Sequence, residues 1–171
     1  MKSLVVYYSY SGNTEKVAKI LVDFLKDKDF MVDTLRLKPK NERGSFFLQC
    51  LEALRGKRAV LSGDLNFDLA GYDLVCIGSP VWAFSPTPAV NTYLDKLLQA
   101  DGRDAIIFTT YGSGAGVIKC INSIKKRLKK KGIREVYNFN IQQAKIDDRD
   151  FVIKAIKDKV KKVWNVEARP S

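Results

Sequence analysis

A hydroxyl-rich segment near the N-terminus, residues 9–14, has the composition of a phosphate-binding loop. Its sequence, Ser-Tyr-Ser-Gly-Asn-Thr, lies between an apolar strand-like run and a helical pattern. Hydroxyls and backbone N–H groups would meet the positive end of a helix dipole there, and Gly12 permits a tight turn. The segment has no lysine and the chain has no GxGxxG pattern, so the pattern favours a monophosphate without a metal. The alternative is an unliganded helix N-cap made by Ser11 or Asn13.

Two further segments could contact a flat organic ligand. Residues 79–86 place Trp82 and Phe84 among prolines that stiffen the backbone, and rigid aromatic side chains at a strand end suit stacking on a planar ring. At least one of them could instead cover the edge of the core. Residues 109–116 contain three glycines, which let the backbone approach a ring closely, although a strand-to-helix turn needs one or two of them anyway. Together the three segments predict a site with a phosphate at one end and a planar heterocycle at the other.

The remaining reactive side chains offer no catalytic group. The chain has no histidine, which excludes Ser-His-Asp and Cys-His nucleophiles and histidine metal sites. The three cysteines, Cys50, Cys76 and Cys120, are too widely spaced for a CxxC motif. We therefore predict no catalytic side chain and no metal site, and we expect a cofactor to supply any chemistry.

The elements that must position these segments alternate between strand and helix. Apolar runs predict strands at residues 3–8, 31–37, 73–79, 105–111 and 135–141. Apolar residues at helical spacing predict helices within residues 17–25, 47–54, 90–98, 117–128 and 152–163. The second helix would start at Gly44 and Ser45 and end near Gly56, and Gly132 would end the fourth. This alternation predicts an α/β fold, a doubly wound parallel sheet whose ligands bind beyond the carboxyl ends of the strands.

Length and composition are typical of one globular domain, which we expect to span residues 1–171. The chain is 46% hydrophobic and 29% charged, as in ordinary soluble proteins. Its apolar runs are far shorter than a membrane span, and the N-terminus lacks the pattern of a secretory signal. We therefore expect a cytoplasmic protein that has no association with membranes.

The positive charge is concentrated in the C-terminal third. The net charge is +11, and residues 117–164 carry fifteen Lys and Arg against five Asp and Glu, whereas residues 1–116 carry fourteen against thirteen. The densest clusters lie at residues 125–131 and 154–162. They are either solvated helix faces or a surface for an acidic partner or a phosphate backbone.

These motifs resemble the flavodoxin family over essentially the whole chain. Residues 9–14 match the family's phosphate signature, Ser/Thr-X-Ser/Thr-Gly-Asn-Thr, and residues 79–84 match the loop beside the ribityl chain and isoalloxazine ring. Residues 110–116 match the loop at the pyrimidine edge of that ring. The resemblance implies a five-stranded, flavodoxin-like sheet in the order 2-1-3-4-5 and FMN as the cofactor. The cofactor-binding residues that it implies are Ser9, Tyr10, Ser11, Gly12, Asn13, Thr14, Ser79, Pro80, Val81, Trp82, Ala83, Phe84, Thr110, Tyr111, Gly112, Ser113, Gly114 and Gly116.

Two features depart from the family's usual pattern. Ala83 and Phe84 follow Trp82 where electron-carrier flavodoxins commonly have a glycine and an acidic residue, and flavodoxins are usually acidic proteins, unlike this one. The positive charge suggests that any redox partner is acidic.

The resemblance implies an FMN-binding electron-transfer protein that works with redox partner proteins. The alternative on the same scaffold is an enzyme, an NAD(P)H-dependent FMN or quinone reductase, so catalytic activity stays open. An alternative of another class is a basic nucleic-acid-binding module, which is disfavoured because the lysine-rich helices lack interleaved aromatic residues and any recognised motif.

Overall fold

The computed structural model describes residues 1–40 and 46–167. The strands are β1 (Lys2–Tyr7), β2 (Met31–Arg36), β3 (Lys38–Pro39), β4 (Leu61–Ser62), β5 (Leu74–Pro80), β6 (Asp104–Tyr111) and β7 (Glu135–Gln142). The helices are α1 (Asn13–Lys26), α2 (Phe46–Leu54), α3 (Pro88–Lys96), α4 (Val117–Lys130) and α5 (Arg149–Glu167), and a short 3-10 turn, Gln143–Lys145, follows β7. None of the helices in the described ranges combines the length and hydrophobicity that a bilayer span needs.

Five of the strands form one parallel sheet in the order β2-β1-β5-β6-β7. Counted along the chain within this sheet, the order is the predicted 2-1-3-4-5, so the predicted fold class is confirmed. Strand β1 is hydrogen-bonded to β2 on one side and to β5 on the other. The strand order therefore reverses between β1 and β5, which leaves a crevice at their carboxyl ends where doubly wound sheets bind ligands.

Alternate residues of the central strands supply two hydrophobic cores. Val5 and Phe108 belong to the core that packs against α1 and α5, whereas Val6 and Ile107 belong to the core against α3 and α4. Strands β5 and β6 are buried almost throughout. Burial on both faces explains why their sequences are continuous apolar runs rather than alternating ones.

The predicted elements agree closely with those observed. Each predicted strand boundary lies within one residue of the observed one. After α4, Gly132 has φ 85° and donates its N–H to the Lys129 carbonyl, as expected of a helix-ending glycine. Gly56 follows α2 and also has a positive φ, whereas the predicted helix start at Gly44 and Ser45 lies outside the described residues. The sequence pattern does not predict the antiparallel pairing of β3 with β4, because two-residue strands are too short to show periodicity.

Candidate functional site

The three predicted segments meet in one pocket at the carboxyl ends of β1, β5 and β6. Its volume is about 550 Å³, within the range of roughly 300–1,000 Å³ that is usual for small-molecule sites. The predicted residues that line it are Tyr10, Ser11, Thr14, Pro80, Val81, Trp82, Ala83, Thr110, Tyr111, Gly112 and Ser113. The predicted residues in the same segments that do not line it are Ser9, Gly12, Asn13, Ser79, Phe84, Gly114 and Gly116.

Helix α1 begins without a side chain at its N-cap position. Its N-cap residue is Gly12, in the left-handed region at φ 85°, so the N-cap residue makes no side-chain hydrogen bond. The alternative prediction of an N-cap made by Ser11 or Asn13 is therefore wrong. Because Gly12 has no side-chain oxygen, it can make the tight turn but cannot satisfy the first N–H groups of the helix. Further along, the Ser9 hydroxyl accepts a hydrogen bond from the Glu15 N–H at 3.2 Å.

The first segment consequently offers hydrogen-bond donors to a ligand. Within the part of the chain that the structure describes, the backbone N–H groups of residues 11–14 have no partner. The Ser11 side chain lines the pocket, is exposed and likewise has no protein partner there. Unpaired donors at the positive end of a helix dipole suit an anion such as a phosphate.

Two hydrogen bonds hold the three segments together. The hydroxyls of Thr14 and Thr110 are 2.8 Å apart and buried, which joins the start of α1 to the end of β6. The Val81 N–H donates to the Thr110 carbonyl at 2.9 Å, which joins the second segment to the third. The pocket walls are therefore fixed relative to one another.

Glu15, the acidic residue in the first turn of α1, is neutralised by neighbouring cations. The Lys19 ammonium hydrogen-bonds Glu15, and this bond together with the positive charges of Arg36 and Lys19 holds the pKa of Glu15 below its ordinary value, against partial burial. The Arg36 guanidinium lies 2.6 Å from the Glu15 carboxylate and also donates to the Ser9 carbonyl at 3.4 Å. Because the Glu15 carboxylate is paired with Lys19 and Arg36, its negative charge does not oppose the binding of an anion at residues 9–14.

Trp82 and Phe84 occupy different environments although they are two residues apart. Trp82 is 5% exposed, lines the pocket and contacts Tyr8 and Tyr10 edge-on, with ring centroids 5.5 and 5.8 Å away. Phe84 is 46% exposed and lies against Gly116, where an added Cβ would come within 2.5 Å of the Phe84 ring. Trp82 is thus the candidate to contact a flat ligand, and Phe84 covers the start of α4.

Ala83 and Phe84 form a turn that L-residues rarely adopt. The backbone groups of Trp82 and Ser85 exchange hydrogen bonds of 3.0 and 2.9 Å, and φ is 44° at Ala83 and 67° at Phe84. Two central residues with positive φ characterise a type I′ turn, which favours Asn-Gly. Left-handed backbone costs an L-residue about 1–2 kcal/mol. The position at which electron-carrier flavodoxins commonly have glycine therefore keeps a conformation that glycine favours.

Several predicted residues outside the pocket lining shape the loops. The buried Ser79 hydroxyl accepts the Thr87 N–H at 3.2 Å and donates to the Pro80 carbonyl at 2.9 Å, which fixes the second segment against the start of α3. Gly114 has φ 83°, and its Cβ position lies 3.5 Å from the Tyr111 ring. Ser79 and Gly114 therefore shape the pocket by fixing the backbone of the loops, although neither residue lines it.

Two lining residues are not predicted from the sequence. Cys50 comes from α2, and Gln143 comes from the turn after β7. Burial raises the pKa of the Cys50 thiol. The neighbouring Gln142 side chain donates to the Gly112 carbonyl at 3.2 Å, which ties this turn to the third segment. Gln143 follows a parallel strand, so the rule that ligands bind at carboxyl ends could have indicated it; Cys50 lies in a region without a motif.

A comparison with the sequence models of known protein families shows to which family the chain belongs. The sequence model described as Flavodoxin matches residues 2–155. The chain belongs to the flavodoxin family. Flavodoxins bind FMN, so the predicted cofactor is confirmed at the level of the family, whereas the residues that hold it stay a prediction. A comparison with curated protein sequences gives no significant match.

Solved structures share the flavodoxin fold with this chain. A protein from Bacteroides uniformis named as a flavoprotein has a TM-score of 0.68 and 23% identity, covering 91% of this chain and 97% of that one. A flavodoxin from the domain Archaea has a TM-score of 0.61 and 16% identity, covering 95% and 99%. An NADH:FMN oxidoreductase in its apo form has a TM-score of 0.67 and 18% identity, covering 95% and 88%. At these identities the likeness establishes the fold alone.

Proposed function

We propose that this flavodoxin binds FMN in the pocket at the carboxyl ends of β1, β5 and β6 and carries electrons between redox partner proteins. The unpaired N–H groups at the start of α1 support this proposal most directly. Within the described residues, the N–H groups of residues 11–14 have no partner. A phosphate monoester supplies charged acceptors for such donors, and hydrogen bonds to charged groups contribute about 1.5–3 kcal/mol.

The remaining walls fit the other parts of FMN. Trp82 offers an aromatic surface, and the third segment offers exposed backbone at residues 112 and 113 for the polar edge of a ring. Bound FMN supplies the redox chemistry through its isoalloxazine ring. The chain's own residues bind the phosphate, orient the ring and limit the access of water to it.

Part of the positive charge serves the fold. The Lys131 ammonium donates to the carbonyls of Asp95 and Leu97, at 2.9 and 3.0 Å, at the carboxyl end of α3. The Arg127 guanidinium donates to the Asn91 side chain at 2.8 Å. Lys131 complements the negative dipole at the C-terminus of α3, and Arg127 ties the first half of α3 to α4 through Asn91.

The other lysines of the two clusters form a positively charged surface that favours an acidic redox partner. Helices α4 and α5 pack on opposite faces of the sheet beside the edge strand β7. The exposed lysines of the two clusters are Lys125, Lys126, Lys129, Lys130, Lys154, Lys157 and Lys161. Residues 1–116, which supply nearly all of the pocket, carry almost balanced charge. The positive flank would therefore orient an acidic protein from a distance without adding a strong charge to the pocket. We place this exchange in the cytoplasm as part of the same proposal.

A second candidate function is an NAD(P)H-dependent reductase on the same site. It is favoured by a cavity beside the pocket, described in the next subsection. Absorbance spectra of the purified protein, taken after incubation with FMN and removal of free FMN, test flavin binding, and a protein that stays colourless would refute both candidates. Addition of NADH or NADPH without air then separates the two functions. Bleaching by the nucleotide alone indicates a reductase, and bleaching only with a protein donor indicates a carrier.

A further inference from the structure

A second cavity opens between α4 and the edge strand β7. Its volume is about 420 Å³, and its lining consists of Tyr111, Val117, Ile118, Ile121, Asn122, Asn138 and Asn140. Tyr111 also lines the flavin pocket, so the two cavities adjoin. No residue of the three predicted segments other than Tyr111 contributes to this groove.

Three carboxamides form the polar part of the groove. Asn138 and Asn140 are two residues apart on β7 and share one face of the sheet, and Asn122 lies opposite them on α4. Within the described residues, none of these three side chains has a hydrogen-bond partner. A carboxamide offers two donors and an acceptor. The groove therefore presents mixed donors and acceptors without a formal charge.

The apolar part of the groove is partly open to solvent. Val117 and Ile121 are each 7% exposed and form its floor, whereas Ile118 is 76% exposed at its rim. An exposed isoleucine beside unpaired carboxamides provides an apolar surface and a hydrogen-bonding edge together. This combination suits a planar heterocycle, and asparagine pairs with adenine in particular through the N6 amino group and N7.

Lysines border the groove on the same helix. Lys119 and Lys125 lie three residues before and after Asn122, one turn away on either side, and both are exposed. The Lys119 ammonium lies 6.0 Å from the centre of the Phe84 ring, which places this charge towards the second segment of the flavin pocket. A ligand in the groove would thus have cations available for phosphates.

We propose that this groove binds the adenosine half of a nicotinamide dinucleotide. The proposal rests on the flavin site proposed above and belongs to the reductase candidate, since Tyr111 lines both cavities and the other half of the dinucleotide would lie towards that pocket. It assigns the adenine ring to the apolar floor, its polar edge to Asn138 and Asn140, and the phosphates to the lysines of α4.

The test uses the FMN-loaded protein and two probes that cannot reduce the flavin, AMP and NAD⁺, titrated by calorimetry. We expect Asn138→Ala with Asn140→Ala to weaken the binding of both probes about fivefold to a hundredfold, since a bidentate base contact contributes about 1–3 kcal/mol and 1.4 kcal/mol is a factor of ten. The absorbance spectrum of FMN bound to this double variant should be the same as that of FMN bound to the parent protein. Gln99→Ala, which removes an exposed carboxamide that bonds Asp68 outside both cavities, is the matched control and should bind both probes as the parent does. Asn138→Asp keeps the side-chain shape, replaces the donor by a carboxylate and should weaken AMP even if the double variant misfolds.

Failure to bind AMP at millimolar concentration, or equal binding by the parent and the Asn138 and Asn140 variants, would overturn the groove assignment. The flavin site is judged separately by FMN titration. If FMN does not bind, the proposed function fails, and titration of the apoprotein with AMP still reports on the groove.

Discussion

Replacing Ser11 by alanine should weaken the binding of FMN and leave the binding of riboflavin unchanged. The Ser11 hydroxyl lines the pocket, is exposed and has no partner among the described residues, so a ligand is free to use it. A hydrogen bond to a charged group contributes about 1.5–3 kcal/mol. Because 1.4 kcal/mol corresponds to a tenfold change, we expect the Kd for FMN to rise roughly 10- to 140-fold.

The comparison with Thr14 shows why Ser11 is the better probe. The Thr14 hydroxyl is buried against the Thr110 hydroxyl at 2.8 Å. Thr14→Val would leave the Thr110 hydroxyl without this partner and lower the free energy of unfolding by about 1–3 kcal/mol. Ser11→Ala breaks no hydrogen bond with another described residue, so its free energy of unfolding should stay within about 0.5 kcal/mol of the parent's.

The assay is a titration of the apoprotein with each flavin, followed by quenching of flavin fluorescence. Ser113→Ala is the matched control, since it removes the same hydroxyl at the other end of the pocket and should affect FMN and riboflavin alike. An equal loss of affinity for both flavins in Ser11→Ala, or a loss of affinity for FMN alone in Ser113→Ala, would show that the phosphate does not lie at the N-terminus of α1.

The other predictions concern the ring, the thiol and the surface charge. Trp82→Leu should relieve the quenching of flavin fluorescence and Phe84→Leu should not, because of the two only Trp82 lines the pocket; equal quenching in both variants would place the ring elsewhere. Cys50 should react first with an alkylating reagent, since the other cysteines are buried; FMN should slow the reaction, and the raised pKa should move the midpoint of the rate–pH profile above that of a free thiol. Electron exchange with an acidic protein should slow as salt shortens the screening length to ~8 Å, and Lys125→Glu with Lys154→Glu should slow it without changing the Kd for FMN. A rate indifferent to both treatments would leave the lysines as a solvated surface.

The strands of the central sheet could be predicted from the sequence because their apolar runs are the clearest pattern in the chain. Strands β5 and β6 are buried on both faces, and such strands require continuous apolar residues regardless of their partners. The unpaired donors to which we assign a phosphate could also be predicted, since they come from the backbone of one continuous segment, residues 11–14. The order of the strands required the resemblance, because no local pattern distinguishes one arrangement of parallel strands from another.

The sequence alone could not predict that Trp82 lines the pocket and that Phe84 does not. Both are aromatic, both follow β5, and local propensity gives neither of them a preferred direction. Their positions depend on contacts distant in sequence: Trp82 meets Tyr8, and Phe84 meets Gly116. Cys50 was missed for a similar reason, since its place in the wall depends on how α2 packs and not on any motif around it.

Gly116 connects the shape of the pocket proposed to bind FMN to that of the neighbouring groove. Its missing Cβ makes room for Phe84, since an added Cβ would lie 2.6 Å from the Phe84 Cα as well as against the ring. Because the backbone itself is that close, rotation of the Phe84 side chain could not relieve the contact. Gly116 is also the N-cap of α4, and the next two residues, Val117 and Ile118, line the groove. The left-handed turn that follows Trp82 and the helix that forms one wall of the groove are therefore fixed by the same contact, so a shift of that turn displaces the start of α4 as well.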